Sequence, residues 1–273
     1  MLKKSEIRSI LLSHSLAPIR GLGQNFLIDE RVIEKLVRAS NIKRGDFIVE
    51  VGPGLGVLTD AVLRRTSNVF AVEIDRGFVE FLKERFGDQK LKIVHRDVLN
   101  LDIAGLALKN YGYKVVSNLP FNIATAVIIF FLKNKISPSE IIVVLQKEVA
   151  ERIVEKEGKS SVLSLTVRIF GEPQKLFDIN PGSFYPRPKV VCSVLKIKTK
   201  IKRDLNDLGI EKFLEAIRLG FRFKRKLLLR NLGRDEEFDL FELKKAFINS
   251  GIDSSARPEE VSFAKWIRLV KSL

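Results

Sequence analysis

Four consecutive residues, Asn118-Leu119-Pro120-Phe121, bring together groups that suit one chemical task. Asn118 offers an uncharged side-chain oxygen, Leu119 a main-chain carbonyl and Phe121 a flat apolar face. Pro120 fixes its own φ and drives Leu119 into extended backbone, so the Leu119 carbonyl is held at a defined angle. Two neutral acceptors beside an aromatic face match the exocyclic amine of a planar base such as adenine. The lone pair of that amine is delocalised into the ring and is a poor nucleophile. Acceptors on both N–H bonds draw the nitrogen towards tetrahedral geometry and free the lone pair, while the aromatic ring stacks on the base. An ordinary proline turn at a strand end uses the same residues, so the flanking elements must discriminate.

Those elements place the motif where ligand chemistry collects in open α/β sheets, at the carboxyl end of a strand. The apolar run 113–116 reads as a buried strand, and 123–132 is long and apolar enough for a core helix. Upstream, 46–59 reads as a strand running into the glycine turn Gly52-Pro53-Gly54-Leu55-Gly56 and then a helix, a nucleotide-binding first βα unit. Gly52 and Gly54 permit a tight turn and close approach of a ligand to the backbone. The dinucleotide fingerprint would place its third glycine at 57, where this chain has Val57, which weakens an NAD or FAD reading. The next strand, 69–75, ends in Glu73-Ile74-Asp75, where Glu73 can accept from both hydroxyls of a ribose and Asp75 suits a helix cap. A third strand, 91–95, leads to Asp97 and Val98, suited to an adenine amino group and ring. Either acid alone also suits a cap or a solvated position. Three strand ends in series, each with fitting chemistry, argue against coincidence.

The remaining segments are less specific. A short amphipathic helix is expected over 3–13. The loop 21–29 carries two glycines, the two amides Gln24 and Asn25, and Phe26; it suits a ligand-facing loop or a plain connector, with Asp29 as cap of the next helix. A strand over 140–146 and a helix over 147–155 follow, whereas 159–177 mixes helical and strand signals. The loop 184–190 is held extended by prolines, and Phe184 could close over a base opposite Phe121 or sit in the core. Beyond residue 200 the pattern is helical. There the basic run 218–226, with Arg222, Lys224, Arg225 and Lys226, is interleaved with aromatics and suits phosphate contact or a merely solvated face.

Composition narrows the function classes. Against 33 acidic residues stand 48 Lys and Arg, a formal net charge of +15 that points to a polyanion, nucleic acid before membrane. Heat adaptation raises both signs together and does not explain the imbalance. One cysteine, Cys192 in an apolar run, excludes a disulfide framework within the chain. Two isolated histidines argue against a His-based triad, and no cluster has metal-ligand spacing. No segment reads as a membrane span or signal peptide, so a cytoplasmic protein is expected.

Taken together, these motifs resemble the KsgA-type ribosomal RNA adenine dimethyltransferases. The match runs through Gly-Gln-Asn-Phe-Leu at 23–27, Glu-Val-Gly-Pro-Gly-Leu-Gly at 50–56, Glu73, Asp97, Asn-Leu-Pro-Phe at 118–121, Leu-Gln-Lys-Glu-Val at 145–149 and 184–190. The resemblance implies an α/β fold: a Rossmann-like catalytic domain over 1–199 that binds S-adenosylmethionine (SAM), with a small all-helical RNA-recognition domain over 200–273. It implies transfer of two methyls to N6 of each of two adjacent adenosines in a hairpin loop near the 3′ end of 16S rRNA, during small-subunit assembly, with S-adenosylhomocysteine as product. By the same resemblance Asn25 and Leu27 would cover the methionine end of SAM, with Gly52 and Gly54 beneath it. Glu73, beside Ile74, would hold the ribose, Asp97 and Val98 the adenine. Asn118 and Leu119 would orient the target amine, and Pro120 and Phe121 complete the site. Bacterial members usually carry tyrosine where this chain has Phe121, which keeps the stack and removes a hydroxyl. The partner is then the 16S rRNA or a pre-30S particle, and a monomer is expected. The competing readings are an Erm-type 23S rRNA adenine methyltransferase and a non-catalytic rRNA-binding assembly factor, with an NAD enzyme more distant.

Overall fold

The computed structural model describes residues 4–14, 16, 24–87, 91–154, 159–201, 204–223, 225–235 and 238–273. The glycines at 21 and 23 and the basic residue Lys224 lie outside the described residues. The chain forms two compact units, 1–150 with 174–199, and 151–173 with 200–273. The described residues of 151–170 thus group with the second unit, whereas the sequence expectation set the boundary at 199.

In the first unit, helix α1 (Lys4–Ser13) and the short strand β1 (Phe26–Leu27) precede α2 (Glu30–Ala39). The repeating units follow: β2 (Phe47–Val51) and α3 (Val57–Leu63), β3 (Val69–Glu73) and α4 (Arg76–Phe86), β4 (Lys92–His95), then β5 (Tyr113–Asn118) and α5 (Ala124–Lys133). Strand β6 (Glu140–Gln146) leads into α6 (Lys147–Val154). Helix α7 (Val162–Phe170) then belongs to the second unit, and β7 (Gly171–Ile179), β8 (Phe184–Tyr185) and β9 (Cys192–Thr199) return to the sheets. The segment 159–177, ambiguous in sequence, thus splits into a helix and an edge strand.

Seven strands lie in the order β4-β3-β2-β5-β6-β9-β7. The first five are parallel, and β9 is antiparallel to β6. Chain order reverses between β2 and β5, so their carboxyl ends flank the crevice where such sheets bind ligands. The buried Ser117 hydroxyl, donating to the Val51 carbonyl, ties the two ends together. Strands with sheet neighbours on both sides and helices on their faces read as unbroken apolar runs: β3 and most of β6 are buried throughout. Local signals set the helix starts, as Asp29 accepts from the Arg31 and Val32 amides and Asp75 from those of Gly77 and Phe78.

A second sheet pairs β1 with β8, Phe26 opposite Tyr185 and Leu27 opposite Phe184. The Ser183 hydroxyl adds a bond to Asp29. The loops 24–29 and 183–190 therefore form one structure.

The second unit is helical, α7 joining α8 (Asp207–Gly220), α9 (Leu228–Leu232), α10 (Leu240–Ser250) and α11 (Phe263–Ser272). Phe213, Leu228, Leu232, Leu243, Trp266 and Leu269 are buried there.

Candidate active site

The glycine turn after β2 is possible only without side chains. Gly52, Gly54 and Gly56 have φ of +63°, +53° and +70°, a region most residues avoid. A Cβ on Gly54 would lie 2.6 Å from the Phe26 ring, so β1 rests directly on the turn.

At the end of β3, Glu73 is 3% exposed and accepts three backbone N–H bonds: Ile74 at 2.9 Å, Asp75 at 3.0 Å and Gly54 at 3.3 Å. Burial pushes its pKa up, and these hydrogen bonds oppose the shift. The carboxylate thus fixes the glycine turn to the neighbouring strand end. After β4, Asp97 accepts from the Leu99 amide at 2.9 Å and starts a short helical turn, with Val98 buried beneath it.

Asn118 completes the site from β5. Its Nδ2 donates to the Asn25 carbonyl at 2.8 Å. That bond sets the orientation of the amide, because only its N–H₂ end can face a carbonyl. The opposite end, Oδ1, is buried and has no hydrogen-bond partner, an arrangement that costs free energy unless another donor arrives.

These groups surround a cavity of about 240 Å³. Asn25, Gly52, Gly54, Glu73, Asp97, Val98, Asn118, Leu119 and Pro120 line it, and Ile74, 52% exposed, is at its edge. The sequence reading missed Gln24, Phe26, Val51, Val72, Arg96, Leu99, Asn122 and Ile123, which complete the wall. Most directly adjoin a residue that was named, and Phe26 was quoted without a role.

Three expected positions lie outside this wall. Leu27 does not cover this cavity; its side chain is buried in the core beside Ile33 and Val37 and borders a separate void of about 20 Å³ with Glu50. Phe184 is 1% exposed within the same core, because pairing with Leu27 turns it inward, so it offers no face to a base. Phe121 is half-buried against that core, outside the cavity wall. In the helical unit Arg222, Arg225 and Lys226 are exposed.

A parallel sheet with a reversal between β2 and β5, a glycine turn, an acid ending the next strand and an Asn-Leu-Pro-Phe motif beside them define a Rossmann-like methyltransferase. The family model for ribosomal RNA adenine dimethylase matches residues 20–273, and the chain belongs to that family. It is 35% identical over 269 residues to the ribosomal RNA small subunit methyltransferase A of Dehalococcoides mccartyi, covering 97% of this chain and 91% of the relative. It is also 35% identical over 252 residues to the protein of the same name from Malacoplasma penetrans, covering 92% and 90%. Among solved structures, the fold matches a dimethyladenosine transferase from Plasmodium falciparum (TM-score 0.75, 21% identity, 89% of this chain and 95% of that one). It matches the 23S rRNA methyltransferase ErmE comparably (TM-score 0.74, 21% identity, 91% and 99%). The cofactor is SAM and the product S-adenosylhomocysteine. The residues present fit it: a carboxylate at one strand end, an acid with an apolar floor at the next, and an orphan amide oxygen where a donor must come. No helix among the described residues is long and apolar enough to cross a membrane.

Proposed function

We propose that the protein dimethylates N6 of two adjacent adenosines in the hairpin loop near the 3′ end of small-subunit rRNA. On this reading it acts as a cytoplasmic monomer on a precursor small subunit. The observation that carries the reading is the buried, unpartnered Oδ1 of Asn118, a residue that lines the cavity.

When bound, SAM supplies an electrophilic methyl group. The roles of the chain are to hold the cofactor and present the amine. Glu73 would receive the ribose, and Asp97 with Val98 the adenine of the cofactor, while Asn25 and the glycine turn enclose the other end. Asn118 Oδ1 and the Leu119 carbonyl would accept the two N–H bonds of the target amine in the first transfer, and the one that remains would find an acceptor in the second. The lone pair is thereby aligned without a charged base, and each transfer releases one proton from the nitrogen to water. A neutral, preorganised acceptor pair reorganises little as charge moves onto the nitrogen. The adenosine must leave its stack, at a cost of a few kcal/mol, and stacking on Phe121 returns about 1–3 kcal/mol. The two are comparable, so the aromatic face is essential to presenting the base.

The test is transfer of labelled methyl from SAM to unmethylated 30S and 50S subunits, followed by mass spectrometry of the rRNA. Four methyls on two neighbouring adenosines of 16S rRNA are expected, and Asn118→Ala should lose transfer while retaining the fold. Transfer to 50S alone would replace this reading with the Erm type. Undiminished dimethylation by Asn118→Ala would remove the amide from the chemistry.

A further inference from the structure

Helix α8 ends at Gly220 and the chain turns through Phe221, Arg222 and Phe223. Three groups fix this turn. Phe221 stacks on the buried Trp266, centroids 6.0 Å apart and rings 19° from parallel. The Arg222 amide donates to the Leu219 carbonyl. Asn231, buried on α9, spends both hydrogens of its amide on the turn, donating to the Gly220 carbonyl at 2.6 Å and the Phe223 carbonyl at 3.1 Å. Phe223 is thereby held outward and is 43% exposed. The guanidinium carbons of Arg222 and Arg234 lie 5.7 and 5.0 Å from its ring centroid, and Arg225 and Lys226 follow in the chain, also exposed.

We propose that Phe223 is a stacking platform for an unpaired nucleobase, with Arg222 and Arg234 as its phosphate-neutralising flanks. An aromatic ring left open to solvent and ringed by cations is matched by a polyanion that carries flat bases, and stacking of this kind tolerates any base. Arg222 and Arg234 can hold the ring in the free protein and turn to the phosphates on either side of the bound nucleotide. Asn231 is a positioning residue that acts through the turn, lowering the cost of ordering the platform on binding. This platform belongs to the helical unit and is a contact additional to the base at Asn118. It rests on the reading of the protein as an rRNA methyltransferase.

The experiment uses the full chain, a short oligoadenylate, and an abasic ribose-phosphate strand of equal length. Phe223→Leu keeps apolar bulk and removes the π face; it should weaken oligoadenylate binding roughly 5- to 150-fold and leave the abasic strand unaffected. Phe223→Trp should bind at least as tightly as wild type, with emission quenched by oligoadenylate and not by the abasic strand, above a constant signal from the single native tryptophan, buried Trp266. Unchanged oligoadenylate affinity in Phe223→Leu, or unquenched emission in Phe223→Trp, overturns the platform while methyl transfer to small subunits by the wild-type protein stands. A wild-type chain that binds neither strand and methylates no rRNA overturns the platform and the reading beneath it together.

Discussion

Replacing Glu50 with glutamine should change how stability depends on pH, and in a direction the structure dictates. Glu50 lies on β2 two residues before the glycine turn, is 2% exposed, and its Oε2 has no hydrogen-bond partner. Thr59 on α3 is near enough to favour the charged form, and Glu73 on β3 adds a second negative charge nearby. Burial pushes the carboxyl up to about 8 from an ordinary value of 4.5, with Glu73 adding to the rise and Thr59 opposing it. In the fold the group therefore keeps its proton to about pH 8, whereas unfolded it ionises above about 4.5. Between those values the unfolded chain has released a proton that the native one retains. Stability that is fully present below pH 4.5 is accordingly lost as pH rises, and the loss ends near pH 8. At about 1.4 kcal/mol per pH unit, the whole window amounts to on the order of 5 kcal/mol. Glu50→Gln removes the titration at nearly constant shape; whatever its uncharged amide costs is the same at every pH. Urea denaturation of both proteins at pH 5.5 and 7.5 should show the variant gaining about 2–3 kcal/mol on wild type between the two. Parallel pH profiles would refute the buried neutral carboxyl.

Other outcomes follow from the same geometry. Phe121→Ala should lower methyl transfer roughly 5- to 150-fold through lost stacking, with Phe121→Tyr close to wild type in the same assay. Gly54→Ala puts a Cβ against the Phe26 ring at a φ of +53°. It should cost about 1–3 kcal/mol of stability and weaken S-adenosylhomocysteine binding by calorimetry, while Gly45→Ala, where a Cβ meets nothing within 4 Å, should do neither.

Features decided by neighbours in sequence were legible before the structure. The β2–glycine–α3 passage, the caps at Asp29 and Asp75, and the strand ends at Glu73, Asp97 and Asn118 depend on residue types within a few positions. What depended on distant partners was not. Leu27 was expected over the cofactor, and Phe184 either over a base or in the core; the two lie opposite each other across the β1–β8 pair and both are buried. The bond from Asn118 to the Asn25 carbonyl, which orients the amide, joins two segments that the sequence offered only as separate motifs. Residues 159–177 resisted reading because α7 is rich in β-branched and apolar residues while β7, at the sheet edge, alternates only weakly. Glu50 appeared as one letter of a motif, and only burial reveals its unpaired oxygen.

The β1–β8 ribbon also joins parts of the site that are far apart in the chain. Its first strand supplies Phe26 to the cofactor cavity, and the adjoining Asn25 carbonyl holds Asn118. Its second strand is made only after the whole parallel half of the sheet. A nascent chain that has emerged through β6 thus carries every residue named for chemistry and still lacks the strap that seats its front wall. The pairing of Phe26 and Leu27 with Tyr185 and Phe184 joins the beginning of the chain to a segment made only after β6.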